Sequence, residues 1–141
     1  EMRISEHITE EEAYKSQIAE RFGIDNTPPK ELLPAMKLVA ERCFEPIRKK
    51  FGALRVSSFY RSFLLNKKIK GSKTSQHPKG EAIDIDADGN PNVSNAEIFE
   101  WAKANLEFDQ LIWEYGDDKN PAWVHISYKK SGNRQQVIRI K

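Results

Sequence analysis

The apolar positions of the first fifty residues recur every three or four, the period of a helix buried along one face. Thr9 and Glu12 stand at capping-box spacing, and Tyr14, Ile18 and Phe22 follow at four-residue steps as far as Gly23. One helix is predicted over that stretch. Thr27 and Pro28 open a second helical region, in which Leu32, Met36, Val39, Cys43 and Ile47 make a single apolar stripe. Pro34 and Pro46 are expected to delay its start or bend its end, and Lys49, Lys50 and Gly52 close it.

The period then changes to two. Leu54, Val56 and Ser58 alternate with Arg55 and Ser57 in a strand expected from Ala53 to Tyr60. A short helix is predicted from Ser62 to Ile69, a polar loop from Gly71 to Gly80 and a short strand from Glu81 to Asp86. Ser94 and Glu97 form a second capping box, opening a helix through Trp101 that ends near Leu106. Three strands finish the chain, Asp109 to Tyr115, Ala122 to Tyr128 and Gln135 to Ile140, with 116–121 and 130–134 as hairpin connections. Helices first and adjacent strands last predict an α+β domain with a largely antiparallel sheet flanked by helices.

Composition narrows this picture without redirecting it. At 141 residues the chain is long enough to bury a core as one domain, 1–141. It is 38% hydrophobic and 31% charged, the balance of a soluble globular protein, and no apolar stretch approaches the roughly eighteen residues of a membrane span. A net charge of +2 is too small to predict a nucleic-acid partner, and Lys67, Lys68 and Lys70 read as a solvated helix face. The single cysteine, Cys43, excludes an intramolecular disulfide and a Cys-rich zinc module; its place on the apolar stripe predicts a buried thiol. No basic-then-apolar segment opens the sequence, so these residues name no compartment, and a monomer is expected.

The chemistry gathers in "SQHPKGEAIDID", Ser75 to Asp86. In a strand from Ala82 to Asp86, Ile83 and Ile85 face the core, which aims Asp84 rigidly the other way. Gly80 permits a sharp turn and Pro78 stiffens it, so His77 can fold back beside Asp84. In "AWVHISY", Val124 and Ile126 share one face while Trp123, His125 and Ser127 share the other. If the two strands are neighbours, His77, Asp84 and His125 form a three-ligand zinc site with an open position, the catalytic pattern of that metal. Spacing alone leaves open that each histidine is an ordinary polar residue.

"SQHPKGEAIDI" resembles the Ser-x-His-x-x-x-Gly-x-Ala-x-Asp-Ile signature of the zinc D-alanyl-D-alanine carboxypeptidase family. That family includes the L-alanyl-D-glutamate endolysins of bacteriophages and the vancomycin-resistance dipeptidases. "SSFYRSFLLNKKIKGSKTSQH" is similar to its upstream segment, and "FDQLIWEY", "WVHISY" and "GNRQQV" to its C-terminal strands, so the resemblance runs from Thr9 to the end. It implies the Hedgehog/DD-peptidase fold and hydrolysis of peptidoglycan peptide at the bacterial cell wall. It also implies a zinc ion held by His77, Asp84 and His125, with Arg61 binding a substrate carboxylate or carbonyl and Ser75 and Gln76 lining the cleft. Many members carry an acid three residues before the last histidine as general base, and here that position is Ala122. Glu114 in "LIWEY" is the nearest replacement; Asp117 and Asp118 sit in the connecting loop and position a base less well. The missing acid keeps a second reading open, a non-catalytic, metal-containing module of the same fold that binds cell-wall peptide or a protein partner.

Overall fold

The computed structural model describes residues 2–141 and begins with elements too short for any periodicity to betray. Strands β1 (Arg3–Ser5) and β2 (Ile8–Thr9) form a hairpin that buries Ile4 and Ile8. The Glu45 carboxylate closes its turn, accepting from the Ser5 hydroxyl at 2.6 Å and the His7 backbone N–H at 2.9 Å.

The single helix predicted from Thr9 to Gly23 is two. α1 (Glu10–Tyr14) starts at the expected Thr9–Glu12 capping box, but Lys15 and Ser16 are extended, and Ser16 caps α2 (Gln17–Arg21) anew by accepting from the Ala19 N–H. Ser16 competes with helix continuation as a local cap. The expected stripe is correspondingly unburied: Ile18 and Phe22 are 41% and 51% exposed. Phe22 lies under the Lys68 ammonium instead.

The second stripe holds. A short 3-10 turn (Lys30–Leu32) leads into α3 (Leu33–Val39), a π-helical turn spans Ala40–Phe44, and α4 (Glu45–Phe51) ends at Gly52. Met36, Val39, Cys43 and Ile47 have no exposed surface. Pro46 accounts for the wide turn: its ring crowds the carbonyl four residues back, and the Glu45 N–H reaches five residues back, to Ala40. Burial pushes the Cys43 thiol up to about 12, so it is an inert core group.

The remainder builds one sheet. β3 (Arg55–Ser58), β4 (Ala82–Asp86), β5 (Gln110–Glu114), β6 (Trp123–Ser127) and β7 (Gln136–Ile140) stand in the order β3-β4-β6-β5-β7. α5 (Phe63–Lys68) follows β3, and α6 (Asn95–Asn105) starts at the Ser94–Glu97 capping box and buries Ile98, Phe99 and Ala102. No helix among the described residues is long and apolar enough to cross a membrane. The fold is α+β, and every strand pair in this sheet but one is antiparallel.

That one pair corrects the predicted second hairpin. β6 already has β4 and β5 on its two edges, so β7 passes to the far edge of β5 and runs parallel to it. Asp109, fully buried, secures the crossing: its carboxylate accepts from Arg134 Nε at 3.0 Å, Nη2 at 2.8 Å and the Arg134 backbone N–H at 3.0 Å. Those bonds hold its pKa down at about 2. A carboxylate depressed on folding stabilises fully above its unfolded value, about 3.9, and loses that stabilisation as pH falls toward the folded one. Asp109→Asn is therefore expected to melt below the wild type at pH 7, with the gap closing between pH 4 and pH 2 in thermal melts. A gap that stays constant over that range would show that the ion pair does not hold β7.

Candidate metal centre

Strand register brings the site together. β4 and β6 pair antiparallel with Ile83 opposite Ile126, Asp84 opposite His125 and Ile85 opposite Val124. The four apolar side chains are fully buried on one face, so Asp84 and His125 share the other. His125 Nδ1 lies 3.1 Å from Asp84 Oδ1.

His77 arrives from the loop as expected. It opens a 3-10 turn (His77–Lys79) that ends at Gly80, whose backbone is left-handed with φ +72. The ring meets Asp84 Oδ1 through Nε2 at 3.2 Å and the Phe59 carbonyl through Nδ1 at 2.6 Å. The shorter contact is to a carbonyl, which can only accept, so the ring proton sits on Nδ1. Burial, the largest influence, lowers the pKa of His77 and keeps the ring neutral. The Nε2 lone pair then faces a carboxylate oxygen, an arrangement that a cation between them resolves.

The donor set fits a metal on that ground and on its chemistry. His77, Asp84 and His125 are all buried, and their ligand atoms lie within 4.8 Å of one another. Two imidazole nitrogens and one carboxylate oxygen suit zinc. Burial opposes the charge on Asp84, and hydrogen bonding from His125 helps to hold its pKa below the usual carboxylate range.

Glu114 reaches the same centre from β5. It stands opposite Trp123, its Oε2 accepts from Trp123 Nε1 at 3.1 Å, and the same oxygen is 3.6 Å from His125 Nδ1. Burial first, then the Asp84 charge, raises its pKa. Asp117 turns away: it caps its own loop by accepting from the Lys119 and Asn120 N–H groups. Asp118 is exposed in that loop.

Arg61 borders the cleft with Asp84 and Trp123, and its Nε is buried without a hydrogen-bond partner. Burial lowers its pKa while Asp84 and Glu114 hold its charge in place. Ser75 and Gln76 immediately precede His77 in its loop. Ser75 Oγ accepts from the His77 N–H at 3.2 Å, and the buried Gln76 donates to Glu81 at 3.2 Å, so both shape the loop that delivers His77.

Two supports have no signal in the sequence. The Phe59 carbonyl is backbone, and no residue pattern encodes it. Asn26 reads as a turn residue in "IDNTPP", yet its side chain donates to the Tyr60 carbonyl at 3.0 Å and accepts from the Ser62 N–H at 2.8 Å. It thereby clamps the backbone on both sides of Arg61.

The chain matches the peptidase M15 family over residues 6–127. It belongs to that family. This is the peptidase family that the motifs around His77, Asp84 and His125 resemble. Among solved structures the chain is similar to a mutant of the vancomycin resistance D,D-pentapeptidase VanY from a VanB-type resistance cassette, in complex with Zn(II). The identity is 23%, the match covers 72% of each chain, and the TM-score is 0.42. No curated protein matches.

Gly80 shows how tightly the site of this M15 peptidase relative is built. A Cβ added there would lie 2.8 Å from Met36 Cγ and 3.3 Å from the Leu32 carbonyl oxygen. Gly80→Ala is expected to lose the left-handed preference, about 1–2 kcal/mol, plus the cost of displacing Met36. Gly132 has a matching φ of +75 and open space, so Gly132→Ala loses only the first part. Urea melts of the two variants measure the difference. Equal losses would mean that Met36 yields freely and the His77 turn is not packed against the core.

Proposed function

We propose that this protein is a zinc-dependent peptidase that hydrolyses the peptide of bacterial cell-wall peptidoglycan, in the manner of D-alanyl-D-alanine carboxypeptidases. The observation that carries the reading is the convergence of a buried two-histidine, one-aspartate set with Glu114, at a centre whose Asp84 borders one cleft together with Arg61. Zinc held by His77, Asp84 and His125 would supply Lewis acidity, polarising a carbonyl and lowering the pKa of water at its open position.

The rest falls to side chains. The Trp123 indole holds Glu114 Oε2, which leaves Oε1 to accept a proton from the attacking water and return it to the leaving amine. A raised pKa suits both halves of that exchange. Arg61 offers a planar, permanently charged fork to a substrate carboxylate, a geometry that a lysine ammonium cannot copy. Placement of Glu114 at the centre favours an enzyme over a purely binding module despite Ala122.

Release of new amine from purified peptidoglycan, with and without a chelator, tests the activity. Glu114→Gln keeps shape and hydrogen bonding, and is expected to retain zinc while losing about 10²–10⁴-fold in kcat. Turnover at the wild-type level in this variant would remove Glu114 from the role.

Metal analysis of His77→Ala and His125→Ala is expected to show zinc lost from both, with the helical circular-dichroism signal largely kept. Full zinc content in either would sink the ligand assignment.

The Trp123 bond lowers the Glu114 pKa, against burial and Asp84, which raise it. Trp123→Phe should therefore move the acid limb of the kcat profile to higher pH. A limb that stays in place would mean that another group sets it.

A further inference from the structure

β3 is an outer strand of the sheet, bonded to β4 on one side only. Among the described residues no backbone hydrogen bond reaches Arg55, Val56, Ser57 or Ser58 from its other side. An open edge of this kind is a template for another strand unless the protein covers or blunts it. Here it opens into a cleft of about 680 Å³.

All four consecutive residues of β3 border that cleft. Their side chains alternate between the two faces of the sheet, so what the four have in common is the backbone edge. The register slips between Val56 and Ser58, leaving Ser57 as an extra residue with no register partner on β4, its hydroxyl donating to the Asp84 carbonyl at 3.4 Å. Bulges of this kind turn an edge toward a neighbouring site. Ser58 stands opposite Asp84, so the edge ends at the metal centre.

The opposite wall is the α1–α2 junction, where Lys15 and Ser16 leave the helix in extended conformation. The charged groups of this lining are Lys15, Arg55 and Arg61 against Glu12, Asp84 and Asp86, with Asp84 committed to the metal centre. Arg55 is paired with Asp86, and Glu12 is engaged in the Thr9 capping box. Lys15 is exposed and takes part in no ion pair among the described residues, and Arg61 Nε has no hydrogen-bond partner.

We infer that the substrate of this cleft is an extended acidic peptide that adds to the sheet as a strand along the outer edge of β3. One carboxylate lies toward Arg61 and a second toward Lys15. This rests on the peptidase reading and deepens it by assigning the binding mode: backbone bonds supply affinity, and the two cations select acidic peptides. A strand laid on this edge brings its peptide bonds in file to the Asp84 end of β3.

The probe is the stem pentapeptide L-Ala-γ-D-Glu-L-Lys-D-Ala-D-Ala, added to the zinc-loaded protein while amide hydrogen exchange is followed by NMR and amine release is measured separately. The Val56, Ser57 and Ser58 amides that face the cleft are expected to slow tenfold or more. Those of β7, the other outer strand, should not change. At least one peptide N-methylated at a single backbone amide should bind tenfold or more weakly. Lys15→Ala should weaken binding of the pentapeptide severalfold but not of its form amidated at the glutamate α-carboxylate. Unchanged exchange on β3, or equal binding of every N-methylated peptide, would overturn the inference even if the peptide is cleaved. Protection of β3 without amine release would leave it standing and remove the peptidase reading. β3 amides already protected in a peptide-free dimer would assign the edge to a second copy of the chain and overturn it as well.

Discussion

The site depends on one register, that of β4 against β6. Side chains on a strand alternate with a period of two, so a slip of one residue would turn Asp84 and His125 into the core and expose the isoleucines. The core forbids this: Ile83, Ile85, Val124 and Ile126 are fully buried together, each contributing on the order of 1.5–3 kcal/mol. A hydrophobic preference, not any attraction between the polar groups, sets Asp84 opposite His125. Asn95 adds a polar lock at the end of the pair. Its amide donates to Asp86 and to the Pro121 and Ala122 carbonyls, while its carbonyl accepts from the Ala87 N–H.

His77 has no such register to hold it and depends on a stack of weaker constraints. The loop before it folds on Asn66, whose amide donates to the Ser72 carbonyl and whose backbone carbonyl accepts from the Gly71 N–H. Gly80 lets the chain turn flush against Met36, and the Phe59 carbonyl orients the ring. Burial desolvates each of these groups, a cost that their mutual contacts and a bound cation offset. The centre is thus a polar patch carried by a well-packed sheet.

Much of this was legible in the sequence, and the exceptions have physical causes. The Met36–Val39–Cys43–Ile47 stripe and the Thr9 and Ser94 capping boxes are local patterns and fold as they read. The alternation at 82–86 and 123–127 gave the shared face, because the two strands do pair. The Ile18 and Phe22 stripe misled, since helical period signals amphipathicity only where something covers the apolar face. β1 and β2 are too short to show a period, and their turn relies on Glu45, far along the chain. The β7 crossing could not be read locally, because it follows from both edges of β6 being occupied.

The proposed role of Glu114 would have one strand stand in for another in building the site. The family's usual acid stands three residues before the last histidine, and in this chain residue 122 lies just outside β6. Glu114 is opposite Trp123 on the neighbouring strand, which makes it a diagonal neighbour of His125 on the same face. Diagonal partners on adjacent strands lie within reach of long side chains, and Glu114 Oε2 comes to 3.6 Å from His125 Nδ1. A carboxylate from β5 is also better anchored than one from the 116–122 connection, because β5 is paired on both sides, with β6 and β7. The parallel β7 strand, absent from any local reading, is therefore part of what steadies the proposed base.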